Sequence, residues 1–347
     1  MSQEARERAV LAAVRERRQQ VNDAIDDDLP VAEPERLYEA SRYILEAGGK
    51  RLRPAVLLLT AEALADTSDT PAYREFPDCI GGHVDVMSAA VSIEVIQSFT
   101  LIHDDIMDDD DLRRGSPAVH REYDTETAIL AGDTLYSKAF EIMLETGAPP
   151  ERGLRAMRTL AETCTHICEG QAMDIDFETR GDVVTDEYLE MVELKTAVLY
   201  AAAATLPGLL LSADEETVEA LYNYGLRVGQ AFQIQDDVLD LTVPSAELGK
   251  QRGSDLVEDK TTIITLHAAE HGVDVDGLLD AEDPADVTEA EVQAAVQALQ
   301  DAGSIQYASD LAEDLVEEGK AHLEVLPENE ARHRLEQIAD YLIERGY

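Results

Sequence analysis

Residues 86–108 read VMSAAVSIEVIQSFTLIHDDIMD, and this stretch decides both the fold class and the chemistry. Its apolar residues recur with a helical period up to the acids, which predicts one long helix over 84–108. Asp104 and Asp108 project from the same face of that helix, one turn apart. Like charges at this spacing destabilise a helix by roughly 0.2–0.5 kcal/mol, and a cation between them would offset that cost. Mg²⁺ accepts such oxygen ligands and keeps positions open for phosphate oxygens.

A second aspartate cluster repeats this arrangement later in the chain. Residues 229–241 read GQAFQIQDDVLDL, an apolar helix that carries Asp236, Asp237 and Asp240. One such pattern is weak evidence in an acidic protein, but solvated surface charge would not be expected twice at the ends of apolar helices. The two clusters together predict several Mg²⁺ ions held across a cleft. A calcium loop of the EF-hand kind is excluded, because the required spacing of acids and glycine is absent from the sequence.

Basic residues gather beside both clusters in a chain that has few of them. Residues 46–54 read EAGGKRLRP, and Arg113 and Arg114 directly follow the first cluster. Of only six lysines against 22 arginines, four lie in these motifs: Lys50, Lys195, Lys250 and Lys260. Gly48 and Gly49 would let the backbone approach a ligand closely. Because phosphate groups bind both metal ions and basic side chains, the pattern predicts sites for two anionic phosphate chains, with surface salt bridges as the alternative for 46–54.

The composition favours one large helical domain. The chain has 347 residues, is 45% apolar, and contains no tryptophan and five phenylalanines. Strand alternation is not visible, and two stretches without a period, 66–83 and 272–287, are predicted as surface loop regions of unknown purpose. Helical patterns are predicted over 5–27, 36–47, 54–65, 84–108, 124–146, 151–178, 186–211, 214–240, 260–271, 288–302, 304–325 and 328–345.

Charge and cysteine content exclude several classes of protein. The net charge of −45 disfavours nucleic acid and anionic membranes as partners. No apolar run approaches 18 residues, which predicts no membrane span, and the charged N-terminus without an apolar core predicts no secretory signal. Three cysteines without framework spacing predict a reducing, cytoplasmic location. The acid-rich, lysine-poor composition is typical of halophilic proteins, whose self-repulsion is screened at molar salt, where the Debye length is about 3 Å.

Five motifs, in this order and spacing, resemble those of the trans-isoprenyl diphosphate synthases, or polyprenyl synthetases. They are GGKRLRP, LIHDDIMDDDDLRRG, ELKTAVL, FQIQDDVLD and GKQRGSDLVEDK, which fall within residues 40–270, and IADYLIERGY at the C-terminus is a weaker similarity. Within the family the chain most resembles archaeal, and by composition haloarchaeal, short-chain enzymes that make geranylgeranyl diphosphate. The resemblance implies the all-α isoprenoid synthase fold: a single domain over 1–347, built as a helical bundle around a deep central cavity, and usually a homodimer.

The resemblance also implies a reaction. An allylic diphosphate (dimethylallyl, geranyl or farnesyl) ionises, the double bond of isopentenyl diphosphate attacks the carbocation, and a proton is lost. Mg²⁺, with three ions when substrate is bound, and fixed cations would stabilise the charge that develops on the leaving diphosphate. By matching position, the metal ligands would be Asp104, Asp108 and Asp236, with Asp105 supporting and with Asp237 and Asp240 nearby.

The same matching of positions to the family motifs gives the expected substrate-binding residues. Arg113, Lys195, Lys250 and Lys260 would hold the allylic diphosphate. Lys50, Arg53, Gln97 and Arg114 would hold isopentenyl diphosphate, and at the position of Gln97 many relatives carry histidine and others glutamine. Thr196 and Gln233 would place oxygen dipoles near the carbocation, and Arg113 and Lys195 count with them as catalytic. The motif GQAMD, with Gly170, Gln171 and Asp174, also matches the family, either in the site or as polar support in the core.

Phe99 is predicted to set the product length. Each buried CH₂ contributes about 0.8 kcal/mol, so elongation continues until a side chain blocks it. In the archaeal subgroup an aromatic residue here, five positions before Asp104, goes with a 20-carbon product, so geranylgeranyl diphosphate for ether lipids is expected. Plain core packing of Phe99 is the alternative role, and farnesyl or 25-carbon geranylfarnesyl diphosphate the alternative product.

Two other protein classes fit the sequence less well. Terpene cyclases usually keep one aspartate motif and lack GGKRLRP, whereas this chain has both aspartate motifs and the basic motif. Non-catalytic subunits of heteromeric synthases tend to lose aspartates or arginines from the motifs, and all of these residues are present here.

Overall fold

The computed structural model describes residues 3–66, 72–244, 252–279 and 287–344, and most of these residues are helical. The helices are α1 (Gln3–Asp28), α2 (Glu35–Glu46), α3 (Leu52–Ala65), α4 (Val86–Met107), α5 (Val119–Glu122), α6 (Thr125–Leu144), α7 (Pro150–Phe177), α8 (Thr185–Val192), α9 (Val198–Leu211), α10 (Glu215–Thr242), α11 (Ser254–Val257), α12 (Ile263–Glu270), α13 (Glu289–Asp301), α14 (Ser304–His322) and α15 (Glu330–Glu344). The prediction of an all-α protein is confirmed, and the long predicted helices are all present.

Three local features differ from the prediction. The helix predicted over 186–211 contains a π-helical turn, Glu193–Ala197, between α8 and α9. Two short antiparallel ribbons exist where no strand was predicted: β1 (Phe76–Pro77) pairs with β2 (His83–Val84), and β3 (Leu112–Arg113) pairs with β4 (Ser116–Pro117). These strands are two residues long, too short to show the alternation that identifies a strand in a sequence.

The chain divides into two compact units, each drawn from separate segments. Unit 1 comprises Met1–Cys164, Leu199–Tyr222 and Leu323–Ile338, and unit 2 comprises Thr165–Val198, Asn223–His322 and Ala339–Tyr347. The single domain predicted over 1–347 stays a prediction.

The core of unit 1 is built around α4. This helix packs most extensively along α6 and also contacts α3 and α1. Its N-terminus is capped by Asp85, whose carboxylate accepts a hydrogen bond of 2.8 Å from the backbone N–H of Ser88. From Val86 to Ile96 every residue is buried. A helix that is buried on all sides must be apolar on all sides, which explains why this stretch shows little polar surface.

Two helical segments, Val86–Met107 and Thr185–Leu211, would be long and apolar enough to cross a membrane by length and composition alone. Inside the protein, however, 78% and 89% of their most apolar windows are buried. Core helices of a globular protein have the same composition, so this evidence for a membrane span is weak.

Part of the region 66–83, predicted as a surface loop, is anchored to the core of unit 1, while residues 67–71 lie outside the described residues. Tyr73 and Phe76 are buried. The Asp78 carboxylate accepts hydrogen bonds from Arg152 at 2.8 Å, from the Ile80 N–H at 3.1 Å and from the Gly82 N–H at 2.5 Å. In the acidic region 272–287, residues 280–286 lie outside the described residues.

Asp78 is expected to make stability depend on acid pH. Burial alone would raise the pKa of Asp78, but the hydrogen bonds from Arg152, Gly82 and Ile80 outweigh burial and lower it. A carboxyl group whose pKa folding lowers stabilises the protein above its unfolded pKa of about 3.9 and loses that contribution as pH falls through the lowered value. Between about pH 5 and pH 2 the unfolding free energy should therefore fall more steeply in the wild type than in Asp78→Asn. Urea unfolding at several pH values measures this slope, and equal slopes would contradict the role of Asp78.

Candidate active site

The first aspartate cluster lies at the C-terminal end of α4. The backbone N–H of Asp108 donates a hydrogen bond of 2.8 Å to the carbonyl oxygen of Asp104, which closes the last turn. Asp104 is half-buried and Asp108 is exposed. The C-terminus of a helix carries partial negative charge, so carboxylates here are unfavourable unless a cation lies nearby. The two residues therefore fit a divalent cation, and their role as metal ligands stays a prediction.

Asp105 has a different role from its neighbours. It is fully buried, and its Oδ1 accepts a hydrogen bond of 2.6 Å from Nε of Arg113. Burial raises the pKa of Asp105, although Arg113 opposes this shift. The Arg113 guanidinium also bonds Asp110 at 2.9 Å. Burial would lower the pKa of Arg113, but the bond to Asp105 outweighs it. Asp105 thus holds Arg113 beside the cluster.

Arg114 packs against the glycine pair. Its guanidinium donates hydrogen bonds to the carbonyl oxygens of Gly48 and Ile44. A Cβ atom on Gly49, where φ is +144°, would lie 3.0 Å from that guanidinium carbon. The glycines were predicted to admit a ligand, whereas Gly49 makes room for Arg114.

The charges around Arg114 are predominantly positive, as the predicted anion site in unit 1 requires. Arg114 keeps exposed surface, but partial loss of hydration lowers its pKa. The positive charges of Arg51, Arg113 and Arg53 lower this pKa further, while the negative charge of Glu94 opposes the shift. A cluster of arginines that repel one another is stabilised by an anion, and guanidinium groups match phosphate oxygens in geometry.

A buried ion pair holds this basic loop in place. Arg51 has φ of +53° and is buried, with its guanidinium bonded to the Glu94 carboxylate on α4. It also donates hydrogen bonds of 3.0 Å to Asn22 Oδ1 and 2.6 Å to the carbonyl oxygen of Leu45. Before Arg51 in the sequence, Lys50 is exposed. After it, the Arg53 guanidinium lies 4.2 Å from the ring centroid of Tyr200.

Gln97 and Phe99 lie on α4 between this loop and the aspartates, and both are half-buried. The Phe99 ring makes edge-to-face contacts with His103 at 4.9 Å and with Tyr136 of α6 at 5.2 Å. Tyr136 contacts Phe140 in turn, at 5.1 Å. Phe99 therefore belongs to an aromatic row between α4 and α6, rather than standing alone.

In unit 2 the π-helical turn positions Lys195 and Thr196. π-turns insert one extra residue into a helix and often occur at functional sites. Gly170 of α7 and Gly229 of α10 lie against this turn, so closely that a Cβ atom would come within 2.3 Å of the Lys195 nitrogen and 2.6 Å of the Ala197 Cα, respectively. The Lys195 ammonium pairs with Asp174 at 2.5 Å.

The second aspartate cluster divides into one accessible and two internal carboxylates. Asp236 is half-buried. Asp237 is buried and accepts hydrogen bonds from Tyr188 and, at 3.2 Å, from Gln233. Burial raises the pKa of Asp237 well above its usual range, and the charge of Asp255 adds to this. Asp240 accepts hydrogen bonds from Ser254 Oγ at 2.8 Å and the Asp255 N–H at 3.2 Å, which anchors α11. Asp236 is thus the member of this cluster best placed to bind a cation.

The remaining predicted residues of unit 2 are Lys260, Gln171 and Lys250. The Lys260 ammonium pairs with Glu258 at 2.9 Å and keeps 40% of its side chain exposed. Gln171, 7% exposed, has both amide atoms buried without a hydrogen-bond partner among the described residues. Lys250 lies outside the described residues.

The structure thus groups the predicted residues by unit. Lys50, Arg53, Gln97, Phe99, Asp104, Asp108, Arg113 and Arg114 belong to unit 1, and Lys195, Thr196, Gln233, Asp236 and Lys260 belong to unit 2. In the described part of the chain, no three His, Cys, Asp or Glu side chains converge as a metal cage. Mg²⁺ sites often use one or two carboxylates and complete their coordination with substrate phosphates, so the residues still fit.

Sequence reasoning missed two supporting residues. Glu94 is the one acid within the apolar run SAAVSIEVIQSF, and a buried acid needs a basic partner, which was a usable signal. Tyr188 gave no such signal, because a tyrosine within an amphipathic helix usually packs in the core.

A sequence profile of the polyprenyl synthetase family matches residues 34–299. The chain belongs to the polyprenyl synthetase family. This synthase is 69% identical over 339 residues to a geranylfarnesyl diphosphate synthase of Natronomonas pharaonis, covering 97% of this chain and 98% of that protein. It is 51% identical over 334 residues to a geranylgeranyl diphosphate synthase of Methanosarcina mazei, covering 96% and 97%. It is therefore a prenyltransferase, as the sequence predicted.

Solved structures show the same fold. The geranylgeranyl pyrophosphate synthetase of Pyrococcus horikoshii superposes with a TM-score of 0.87 at 37% identity, covering 98% of this synthase and 99% of that chain. The corresponding protein of Geoglobus acetivorans gives 0.85 at 43% identity, covering 96% and 99%. The prediction of the all-α isoprenoid synthase fold is confirmed.

Proposed function

We propose that this synthase condenses isopentenyl diphosphate with allylic diphosphates up to geranylgeranyl diphosphate. The observation that carries the proposal is the arginine cluster of unit 1, where Arg114 lies against Gly48 and Gly49 and close enough to Arg51, Arg53 and Arg113 for their charges to lower its pKa. A diphosphate needs fixed cations, and the relatives at 69% and 51% identity are named for prenyl diphosphate products. The substrates of this chain are inferred from these two facts together.

Asp104, Asp108 and Asp236 are the proposed ligands of Mg²⁺. A polyprenyl synthase of Caulobacter crescentus, 30% identical with a TM-score of 0.83 and covering 98% of each chain, was solved with calcium and isoprenyl diphosphate. When bound, Mg²⁺ supplies positive charge that stabilises the leaving diphosphate.

The remaining side chains are proposed to bind and orient the substrates. Arg113, Lys195 and Lys260, with Lys250, hold the allylic diphosphate, so that its negative charge is balanced as the C–O bond breaks and the electron pair leaves with the diphosphate. Lys50, Arg53, Gln97 and Arg114 hold isopentenyl diphosphate, whose double bond supplies the electron pair of the new C–C bond. A proton then leaves that unit.

The carbocation is the species that needs protection. Thr196 and Gln233, bonded to each other at 3.0 Å, are proposed to stabilise it with their oxygen dipoles. The apolar residues of α4 keep water away from the growing chain, because water would capture the cation.

Incubation with labelled isopentenyl diphosphate, farnesyl diphosphate and Mg²⁺ in molar KCl tests the proposal. A labelled 20-carbon diphosphate is the expected product. A hydrocarbon would indicate a cyclase and overturn the proposal, and the absence of turnover would indicate a non-catalytic subunit.

A second product, geranylfarnesyl diphosphate, is favoured by the name of the 69% identical relative. The same assay, with product chain length read by mass spectrometry, separates the 20-carbon from the 25-carbon product.

Phe99→Ala is expected to lengthen the product by at least one five-carbon unit. Removing the ring opens the aromatic row between α4 and α6, and each CH₂ buried there adds about 0.8 kcal/mol to chain binding. Chain-length analysis measures the effect, with Phe99→Tyr as the control that keeps the ring. An unchanged length in Phe99→Ala would show that Phe99 only packs the core.

We also propose a cytoplasmic homodimer. Exposed apolar side chains gather on α6: Ile129, Leu130, Tyr136 and Leu144 are between 37% and 64% exposed. Apolar patches of this kind mark protein interfaces.

A further inference from the structure

We propose that Tyr188 is a positioning residue for prenyl transfer, whose hydroxyl acts through Asp237 to fix the orientation of the Gln233 carboxamide. The inference rests on the proposed function and adds to it a residue that the family motifs do not contain. It stands on a chain of hydrogen bonds within unit 2.

The chain has four members. The Tyr188 hydroxyl donates to Oδ2 of Asp237. Nε2 of Gln233 donates to the other oxygen, Oδ1, at 3.2 Å. Oε1 of Gln233 accepts from Oγ1 of Thr196 at 3.0 Å. Because both oxygens of Asp237 accept, the amide nitrogen of Gln233 faces Asp237 and its oxygen faces Thr196.

Two helical elements supply two of these four groups each. Tyr188 and Thr196 come from α8 and the π-helical turn that follows it, while Gln233 and Asp237 lie one turn apart on the same face of α10. Gly229 brings the two elements together, since a Cβ atom there would lie 2.6 Å from the Ala197 Cα. The hydrogen bonds therefore span a fixed and short separation.

Tyr188 is suited to hold Asp237 as a donor. It is 2% exposed, and burial raises its pKa well above 10, so its hydroxyl keeps its proton. Without this donor, Oδ2 of Asp237 would be a buried oxygen without its hydrogen bond, and the carboxylate would turn to find another. The Gln233 amide would then lose the partner that fixes its oxygen toward Thr196.

The effect should appear in kcat rather than in substrate binding. An oxygen dipole aimed at a carbocation acts mainly when the charge develops, so its loss lowers kcat and leaves KM little changed. For Tyr188→Phe we expect a fall in kcat of about tenfold with KM for both substrates within about twofold.

The test is a double-mutant cycle between Tyr188→Phe and Gln233→Ala, assayed by elongation of farnesyl diphosphate in molar KCl. If Tyr188 acts through Gln233, Tyr188→Phe lowers kcat by about tenfold in the wild-type background and by less than about twofold in Gln233→Ala. The matched control is Tyr224→Phe. It removes the hydroxyl of a different buried tyrosine, which lies on α10, and should keep wild-type kcat.

Equal losses of kcat in both backgrounds, or no loss at all, would overturn the positioning role while leaving the proposed function intact. Absence of turnover by the wild type would instead overturn the proposed function. Should Tyr188→Phe fail to fold by circular dichroism, Asp237→Asn interrupts the same chain, and its loss of kcat must be smaller in Gln233→Ala than in the wild-type background.

Discussion

Asp104→Asn is expected to lower kcat by about a thousandfold, the largest effect on activity that we predict. The substitution keeps the shape of the side chain and removes a negative charge that is proposed to bind Mg²⁺. Ionisation of an allylic diphosphate depends on balancing the charge of the leaving group, and losing one preorganised electrostatic partner costs about 10²–10³ in rate. Steady-state kinetics with isopentenyl and farnesyl diphosphates over a range of Mg²⁺ concentrations measures the loss.

Asp111→Asn is the matched control, because it removes the same charge from the same acidic run. Its side chain is 82% exposed and pairs only with the half-exposed Arg121 among the contacts described, at 2.8 Å. Its kcat should stay within about twofold of the wild type, since exposed ion pairs contribute little. Comparable losses in both variants would mean that the acidic run acts through its overall charge, and Asp104 would lose its assigned role.

Glu94→Gln is expected to lower the free energy of unfolding by about 3–5 kcal/mol, the largest effect on stability. The Glu94 and Arg51 side chains are 4% and 2% exposed and form an ion pair. Removing one partner leaves a buried charge uncompensated, which costs far more than the pair itself contributes. Urea unfolding in molar KCl, followed by circular dichroism, measures the difference.

Glu215→Gln makes the same chemical change in an exposed pair. Glu215 is 76% exposed and contacts Arg155 at 2.8 Å, so its loss should cost less than about 1 kcal/mol. A loss of that small size in Glu94→Gln as well would show that Arg51 finds another partner.

Because Lys50 and Arg53 flank Arg51, the KM for isopentenyl diphosphate should rise in Glu94→Gln even where the protein stays folded.

Local patterns in the sequence were enough to predict the helices and the aspartate clusters. In α4 the apolar run and the spacing of Asp104 and Asp108 act within a few turns, so they are visible in neighbouring residues, although the predicted start at 84 missed the N-cap Asp85. That Asp236 is the metal ligand of the second cluster stays a prediction; Asp236 is partly exposed, whereas Asp237 and Asp240 are buried.

Contacts between distant residues could not be predicted in the same way. Arg114 lies against Gly49, and Tyr188 bonds Asp237, across separations of 65 and 49 positions that no periodicity encodes. The π-helical turn Glu193–Ala197 has the same local sequence preferences as the α-helix around it, and is held by the neighbouring helices rather than by its own residues.

The location of Lys195 depends on two glycines, which have no side chain. Gly170 and Gly229 are the points where two helices touch the backbone of the turn that carries this ammonium group. A single methyl group at either glycine would push that backbone outward and carry the charge away from its place. Natural variation and engineering can therefore alter the residues around this lysine more freely than they can add one carbon atom to either helix beneath it.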